Sequence, residues 1–206
     1  MRDRFVHKTP RKKVGILGGS FNPAHAGHRH ISRQALKLLG LDEVWWLVAP
    51  LNPFKQSEDM AAYDDRLAAA RREAARDENI VVSDFERRAG TRYSYDTVVC
   101  LKKTYPDIDF VWLVGADILQ ELHRWHKYDA LMHLLPVAVF ARKNYALKGL
   151  RAPAARRFAV YRIDAEHGRR LAEMKPPAWV FLNIRRHGAS STEIRRRQAL
   201  SDGEKG

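Results

Sequence analysis

The chain has 206 residues, 45% of them hydrophobic, which suits one domain with a sizeable core and excludes a disordered tail. Its 37 Lys and Arg outnumber 24 Asp and Glu, and the formal net charge of +13 points to anionic partners: nucleotides, nucleic acid or acidic lipid. The single Cys100 excludes internal disulfides, and no apolar run approaches the ~18 residues of a membrane span.

In chain order, the basic start "MRDRFVHKTPRKK" has no apolar segment of the kind a signal peptide needs, so residues 1–12 read as a solvated arm. The runs "VGIL" (14–17), "VWWLV" (44–48), "IVV" (80–82), "FVWLV" (110–114), "VAVFA" (137–141) and "WVFL" (179–182) read as short strands. They are apolar on both faces, as parallel strands covered by helices must be. Between the first two, "HRHISRQALKLLG" (28–40) places Ile31, Ala35 and Leu38 on one helical face, and Gly40 can close the helix. "DDRLAAARREAARD" (64–77) and "SYDTVVCLKKTYP" (94–106) are two further helix formers, the second stopped by Pro106. Cys100 sits among Val98, Val99 and Leu101 and reads as a buried structural thiol. Strands alternating with helices predict an α/β fold: a doubly wound parallel sheet with helices on both faces. Residues 13–197 are expected to form that single domain and 198–206 a flexible tail, with further flexible segments at 50–62 and 143–155.

"GILGGSFNPAHAGHRH" (15–30) joins the first strand to the first helix, the place where open α/β sheets bind ligands. Gly18 and Gly19 allow a sharp turn and close approach of a ligand, Pro23 stiffens the turn, and Gly27 leaves room for a bulky anion. His25 and His28, three apart, can face one pocket at a helix start whose N–H groups and dipole favour phosphate. A metal site at His25, His28 and His30 and a purely structural loop are the competing readings. No Cys or carboxylate stands nearby to complete a metal site, and a phosphate cradle also accounts for the glycines. Neither the dinucleotide fingerprint nor the Walker A pattern is present, which disfavours hydride transfer and P-loop chemistry. Near the other end, "SSTEIR" (190–195) has Ser190 and Glu193 at capping-box spacing. It reads either as an ordinary capped helix or as a second anion site formed by Ser190, Ser191, Thr192 and Arg195.

"GGSFNPAHAGH" resembles the signature of the HxGH nucleotidyltransferase superfamily, and "SSTEIR" resembles its C-terminal motif. "LVGADILQELHRWHKYDAL" (113–131), "TRYSYDT" (91–97) and "ARKNY" (141–145) are similar to segments of the bacterial nicotinate-nucleotide adenylyltransferases, in the same order. That family's Pro-Pro-His-Lys loop is Asn52-Pro53-Phe54-Lys55 in this chain.

The resemblance implies a Rossmann-like nucleotidyltransferase fold. The implied reaction transfers the adenylyl group of ATP to nicotinate mononucleotide, giving deamido-NAD and pyrophosphate in the cytoplasm. It makes His25 and His28 catalytic and assigns Gly18, Gly19, Ser20, Phe21, Gly27, Ser190, Ser191, Thr192 and Arg195 to ATP. Lys55, Tyr93, Ser94, Asp117, Trp125 and His126 are assigned to the other substrate, with Trp125 stacking on the pyridine ring. Mg²⁺ is expected to arrive on the ATP phosphates, with no metal held by protein side chains. Adenylyl transfer to nicotinamide mononucleotide or phosphopantetheine is the alternative within enzymes. RNA binding is the distant one: class I aminoacyl-tRNA synthetases carry a related motif. The chain has no KMSKS-like stretch and no room for an anticodon-binding domain, so neither nucleic-acid nor membrane partners are expected.

Overall fold

The computed structural model describes residues 11–50, 60–142, 149–185, 188, 194 and 195. Seven parallel strands form one sheet in the order β3-β2-β1-β4-β5-β7-β6. They are β1 (Lys12–Gly19), β2 (Glu43–Val48), β3 (Ile80–Ser83), β4 (Ile108–Gly115), β5 (Val137–Arg142), β6 (Arg162–Ile163) and β7 (Trp179–Ile184). The helices are α1 (Ala26–Leu39), α2 (Tyr63–Ala74), α3 (Phe85–Ala89), α4 (Ser94–Thr104), α5 (Ala116–Glu121), α6 (Tyr128–Met132) and α7 (Pro153–Arg157).

Side-chain alternation splits the core into two layers. Leu17, Trp46, Leu113 and Phe140 face Ala35 and Leu39 of α1, Leu67 and Ala70 of α2, and Leu171 of a 3₁₀ segment. Val14, Ile16, Trp112 and Val139 face Val98 and Leu101 of α4, Leu119 of α5 and Leu131 of α6. The sheet is therefore covered on both sides, as the doubly apolar strands require. All six strands expected from the sequence are present. The two-residue edge strand β6 was invisible in the sequence because it is too short to show a period.

Several local expectations change. Gly40 does close α1, in the left-handed conformation at φ 62°. The helix itself begins at Ala26, two residues before the apolar pattern, because His25 caps it. Helix α2 stops at Ala74 rather than running to 77, and the N–H of Asp77 turns back to the Ala74 carbonyl. Cys100 is only partly buried, since the exposed Val99 beside it marks the outer side of α4. Strand β1 begins at Lys12, inside the stretch expected as an arm, and the Arg11 guanidinium lies 2.9 Å from Asp109. Helix α7 falls partly within the segment 143–155 that was expected to be flexible.

Candidate active site

Parallel strands place all their carboxyl ends on one edge of the sheet, and the order of winding reverses between β1 and β4. Leu17 pairs with Leu113, so Gly19 and Gly115 finish these two strands side by side. In open α/β sheets the loops that follow two such strands part company, and the crevice between them is the usual ligand position.

The loop after β1 is built differently from its glycine content. Gly18 and Gly19 are still in the extended strand, and the left-handed residue of the turn is Phe21, at φ 47°. A side chain on Gly18 would meet nothing within 4 Å, so this glycine leaves open space rather than making the turn. Phe21 is 1% exposed and stacks on Trp46 at 5.1 Å, which holds the unusual backbone in place.

His25 and His28 come together, with ring centroids 4.0 Å apart. The Nδ1 of His25 accepts the Gly27 N–H at 3.0 Å, and the Nδ1 of His28 accepts the His25 N–H at 3.2 Å. The His28 N–H bonds to the His25 carbonyl at 2.9 Å. The N–H groups of Gly27 and His28 are thus engaged within the turn, where the sequence reading had the first helical N–H groups waiting for phosphate. With Nδ1 accepting, a neutral ring carries its proton on Nε2 and is a hydrogen-bond donor there. His28 is steadied further: its ring lies 4.7 Å from Phe21, and its carbonyl accepts the Ser32 hydroxyl at 3.0 Å. Ser32 in turn accepts from the buried Trp46 indole at 2.8 Å. His30, the third histidine of the competing metal reading, bonds instead to the Arg185 carbonyl at 2.9 Å. Among the described residues, the side chains close enough together to hold a metal ion are the exposed Asp164, Glu166 and His167.

Arg195 reaches the same loop across 173 residues of sequence and donates to the Asn22 carbonyl at 2.6 Å. Arg66 also bonds the loop, through the Ser20 carbonyl at 2.6 Å, and was not singled out from sequence. An Arg within "DDRLAAARREAARD" looks like one solvated charge among many, and only the contacts separate it from the rest.

On the other side of the crevice, α4 begins at Ser94 with Tyr93 in the N-cap position and no side chain capping it. The ring of Tyr93 lies 4.6 Å from that of His126. Trp125, partly buried, packs 5.6 Å from Trp112 of β4. Tyr93, Ser94, Trp125 and His126 thus form one neighbourhood. Asp117 is exposed at the start of α5, directly after β4, with its carboxylate over Gly115 so closely that a Cβ there would collide with it. Nearby, burial pushes the Glu86 carboxyl up to about 7, with a hydrogen bond from Thr97 acting in the opposite direction. The expected Lys55, Ser190, Ser191 and Thr192 lie outside the described residues.

Comparison with known proteins fits this arrangement. The profile of the cytidylyltransferase-like family matches residues 16–197. A protein of Parvibaculum lavamentivorans is 47% identical over 94% of this chain and 96% of its own length, and one of Ruegeria pomeroyi is 43% identical over 100% and 96%. Both carry the description "Probable nicotinate-nucleotide adenylyltransferase". The chain belongs to the nicotinate-nucleotide adenylyltransferase family. Among solved structures, the Plasmodium falciparum nicotinic acid mononucleotide adenylyltransferase complexed with NaAD is similar in fold. Its TM-score is 0.66 at 18% identity, covering 90% of this chain and 83% of that one.

Proposed function

We propose that this chain transfers the adenylyl group of ATP to nicotinate mononucleotide, forming deamido-NAD and releasing pyrophosphate. The observation that carries the reading is the pair His25 and His28, whose Nδ1 atoms are tied to backbone N–H groups at the switch point of the sheet. Descriptions of the family's members name the same reaction.

The acceptor's phosphate is already a nucleophile, mostly dianionic at neutral pH because its second pKa is near ~6. Neither a general base nor a covalent intermediate is needed. The protein's task is to align two anions that repel each other and to stabilise charge developing on the α-phosphoryl group and on the departing pyrophosphate. Nε2–H donors of His25 and His28, together with the Ser20 and Phe21 N–H groups, act on the transferred group. Arg195, with Ser190, Ser191 and Thr192, holds the outer phosphates. ATP enters as its magnesium complex, the ion carried on the phosphates and adding to the stabilisation of the departing pyrophosphate. Trp125 stacks on the pyridine, and N–H groups of Ser94 and His126 take its carboxylate. No helix among the described residues is long and apolar enough to cross a membrane. The water-soluble substrates and the lone cysteine favour the cytoplasm as the compartment.

The test is pyrophosphate release with ATP, Mg²⁺ and each acceptor in turn: nicotinate mononucleotide, nicotinamide mononucleotide and phosphopantetheine. Release with the first far above the others is the expected result. Turnover only with phosphopantetheine would replace the reading.

A further inference from the structure

Arg66, on the first turn of α2, is 2% exposed, and a buried permanent charge is costly unless it is paired or fully hydrogen-bonded. Among the described residues no carboxylate stands within ion-pairing distance of it. Its guanidinium instead donates to four backbone carbonyls: Ala61 at 3.0 Å, Ser20 at 2.6 Å, Ala49 at 2.9 Å and Pro50 at 3.1 Å. These belong to the loops that follow β1 and β2. A planar fork with fixed donor directions can serve four acceptors in one geometry, which an ammonium cannot.

The bond to Ser20 matters most for chemistry. The carbonyl of Ser20 and the N–H of Phe21 belong to one planar trans peptide and point in opposite directions. Holding the oxygen on Arg66, on the β2 side, therefore turns the Phe21 N–H toward the β1–β4 crevice. The preceding peptide is fixed the same way, since the Gly19 carbonyl accepts the Ala49 N–H at 2.9 Å and so turns the Ser20 N–H outward. Phe21 at φ 47° occupies a region that side chains rarely adopt, so this peptide needs an external hold.

We propose that Arg66 is a positioning residue for adenylyl transfer, fixing the Ser20–Phe21 peptide so that the Phe21 N–H stays aimed at the ATP phosphates. This rests on the adenylyl-transfer reading. Arg66 touches neither substrate; it acts through the peptide it holds.

Arg66→Lys keeps the charge and loses the fork, and Arg66→Met loses both. Each is compared with wild type for kcat, for KM of each substrate, and for Tm. Misaligned donors cost on the order of 100-fold in enzymes. The Lys variant is therefore expected to lose about 30-fold or more in kcat, with a raised KM for ATP and a KM for nicotinate mononucleotide within about threefold. A folded Lys variant within about threefold of wild type in kcat and in KM for ATP overturns the proposal. So does a parallel loss toward both substrates that tracks the fall in Tm. Should the variants not fold, ¹⁵N-labelled wild type titrated with α,β-methylene-ATP decides: the Phe21 amide resonance shifts with this analogue and not with nicotinate mononucleotide alone. An unmoved Phe21 amide is the overturning outcome. Wild type that releases no pyrophosphate with ATP and nicotinate mononucleotide refutes the adenylyl-transfer reading, a failure visible before any variant is made.

Discussion

The ring of His28 holds the backbone of His25: its Nδ1 accepts the His25 N–H at 3.2 Å, while the His25 ring accepts the Gly27 N–H at 3.0 Å. This is a capping box written in imidazoles, and in the proposed mechanism each histidine uses Nδ1 for structure and Nε2 for chemistry. The two roles can be separated by mutation. Asn at position 28 has an oxygen short enough to take the place of Nδ1 on the His25 N–H, but nothing that reaches where Nε2 was. His28→Asn is therefore expected to keep Tm within about 2 °C of wild type, since a cap is worth only ~1 kcal/mol. Its kcat should fall at least ~100-fold, the usual cost of removing one preorganised donor. His28→Ala should lose as much rate and also the cap. Near-normal turnover by the Asn variant would remove Nε2 of His28 from the mechanism.

Gly115 and Asp117 form a second dependent pair. The Asp117 carboxylate occupies the space a Cβ on Gly115 would need. Gly115→Ala should act by pushing this side chain aside rather than by straining β4. A double-mutant cycle tests the point. Asp117→Ala and Gly115→Ala are each expected to lower kcat/KM about 10-fold, the scale of one lost polar contact. The double variant should then be no worse than Asp117→Ala alone. Additive losses would show that the Ala at 115 disturbs something else.

Glu86 predicts a pH dependence of stability. Its carboxyl is raised by burial from an unfolded value of 4.5 to about 7. Between those values the unfolded chain has released this proton and the folded chain has kept it. Stability must therefore fall as pH rises through that window and then stay lowered by a constant amount. Glu86→Gln removes the titration without removing a hydrogen-bonding side chain. Relative to wild type, Tm of the variant should be unchanged or slightly lower near pH 5 and several degrees higher near pH 8. Thermal melts across that range decide it, and a difference in Tm that does not vary with pH would sink the assignment.

The strands of this fold were legible because buried parallel strands must be apolar on both faces, and "VWWLV" or "FVWLV" can hardly be anything else. The pair His25 and His28 was legible from spacing, though not its capping geometry, because histidine is an uncommon helix cap. Glycine misled in the opposite direction. Gly18 and Gly19 suggested the turn, yet the left-handed residue is Phe21, held by stacking on Trp46 from another strand. Arg66 was illegible for a related reason. Its role lies in four carbonyls from two loops, and backbone acceptors leave no mark in a sequence. Neighbours such as Tyr93 and His126 were placed together by family resemblance, since the chain between them carries no signal of their contact.

If the proposed assignment of that neighbourhood to the pyridine holds, it sets the preference between acceptors. Nicotinate presents a carboxylate, which only accepts hydrogen bonds, whereas nicotinamide replaces one oxygen with an NH₂ donor. Helix α4 starts at Ser94 without a side-chain cap, and the first N–H groups and positive dipole end of a helix favour an anion. An amide turned into the same place sets one N–H against another and leaves a donor unsatisfied, an expensive mismatch wherever water is excluded. The dipole adds a further preference, because the acid carries a full charge there and the amide none. Sites built to hydrogen-bond one group can reject its analogue by ~10⁴, so at least ~100-fold in kcat/KM is expected in favour of nicotinate mononucleotide. Ser94→Pro, which deletes the N–H at that position while leaving a residue acceptable at the first turn of a helix, should erode the ratio mainly by weakening use of the acid. Both mononucleotides are compared at the same ATP and Mg²⁺ concentrations. Equal efficiency in wild type, or a ratio untouched by the substitution, would place the selectivity somewhere other than the start of α4.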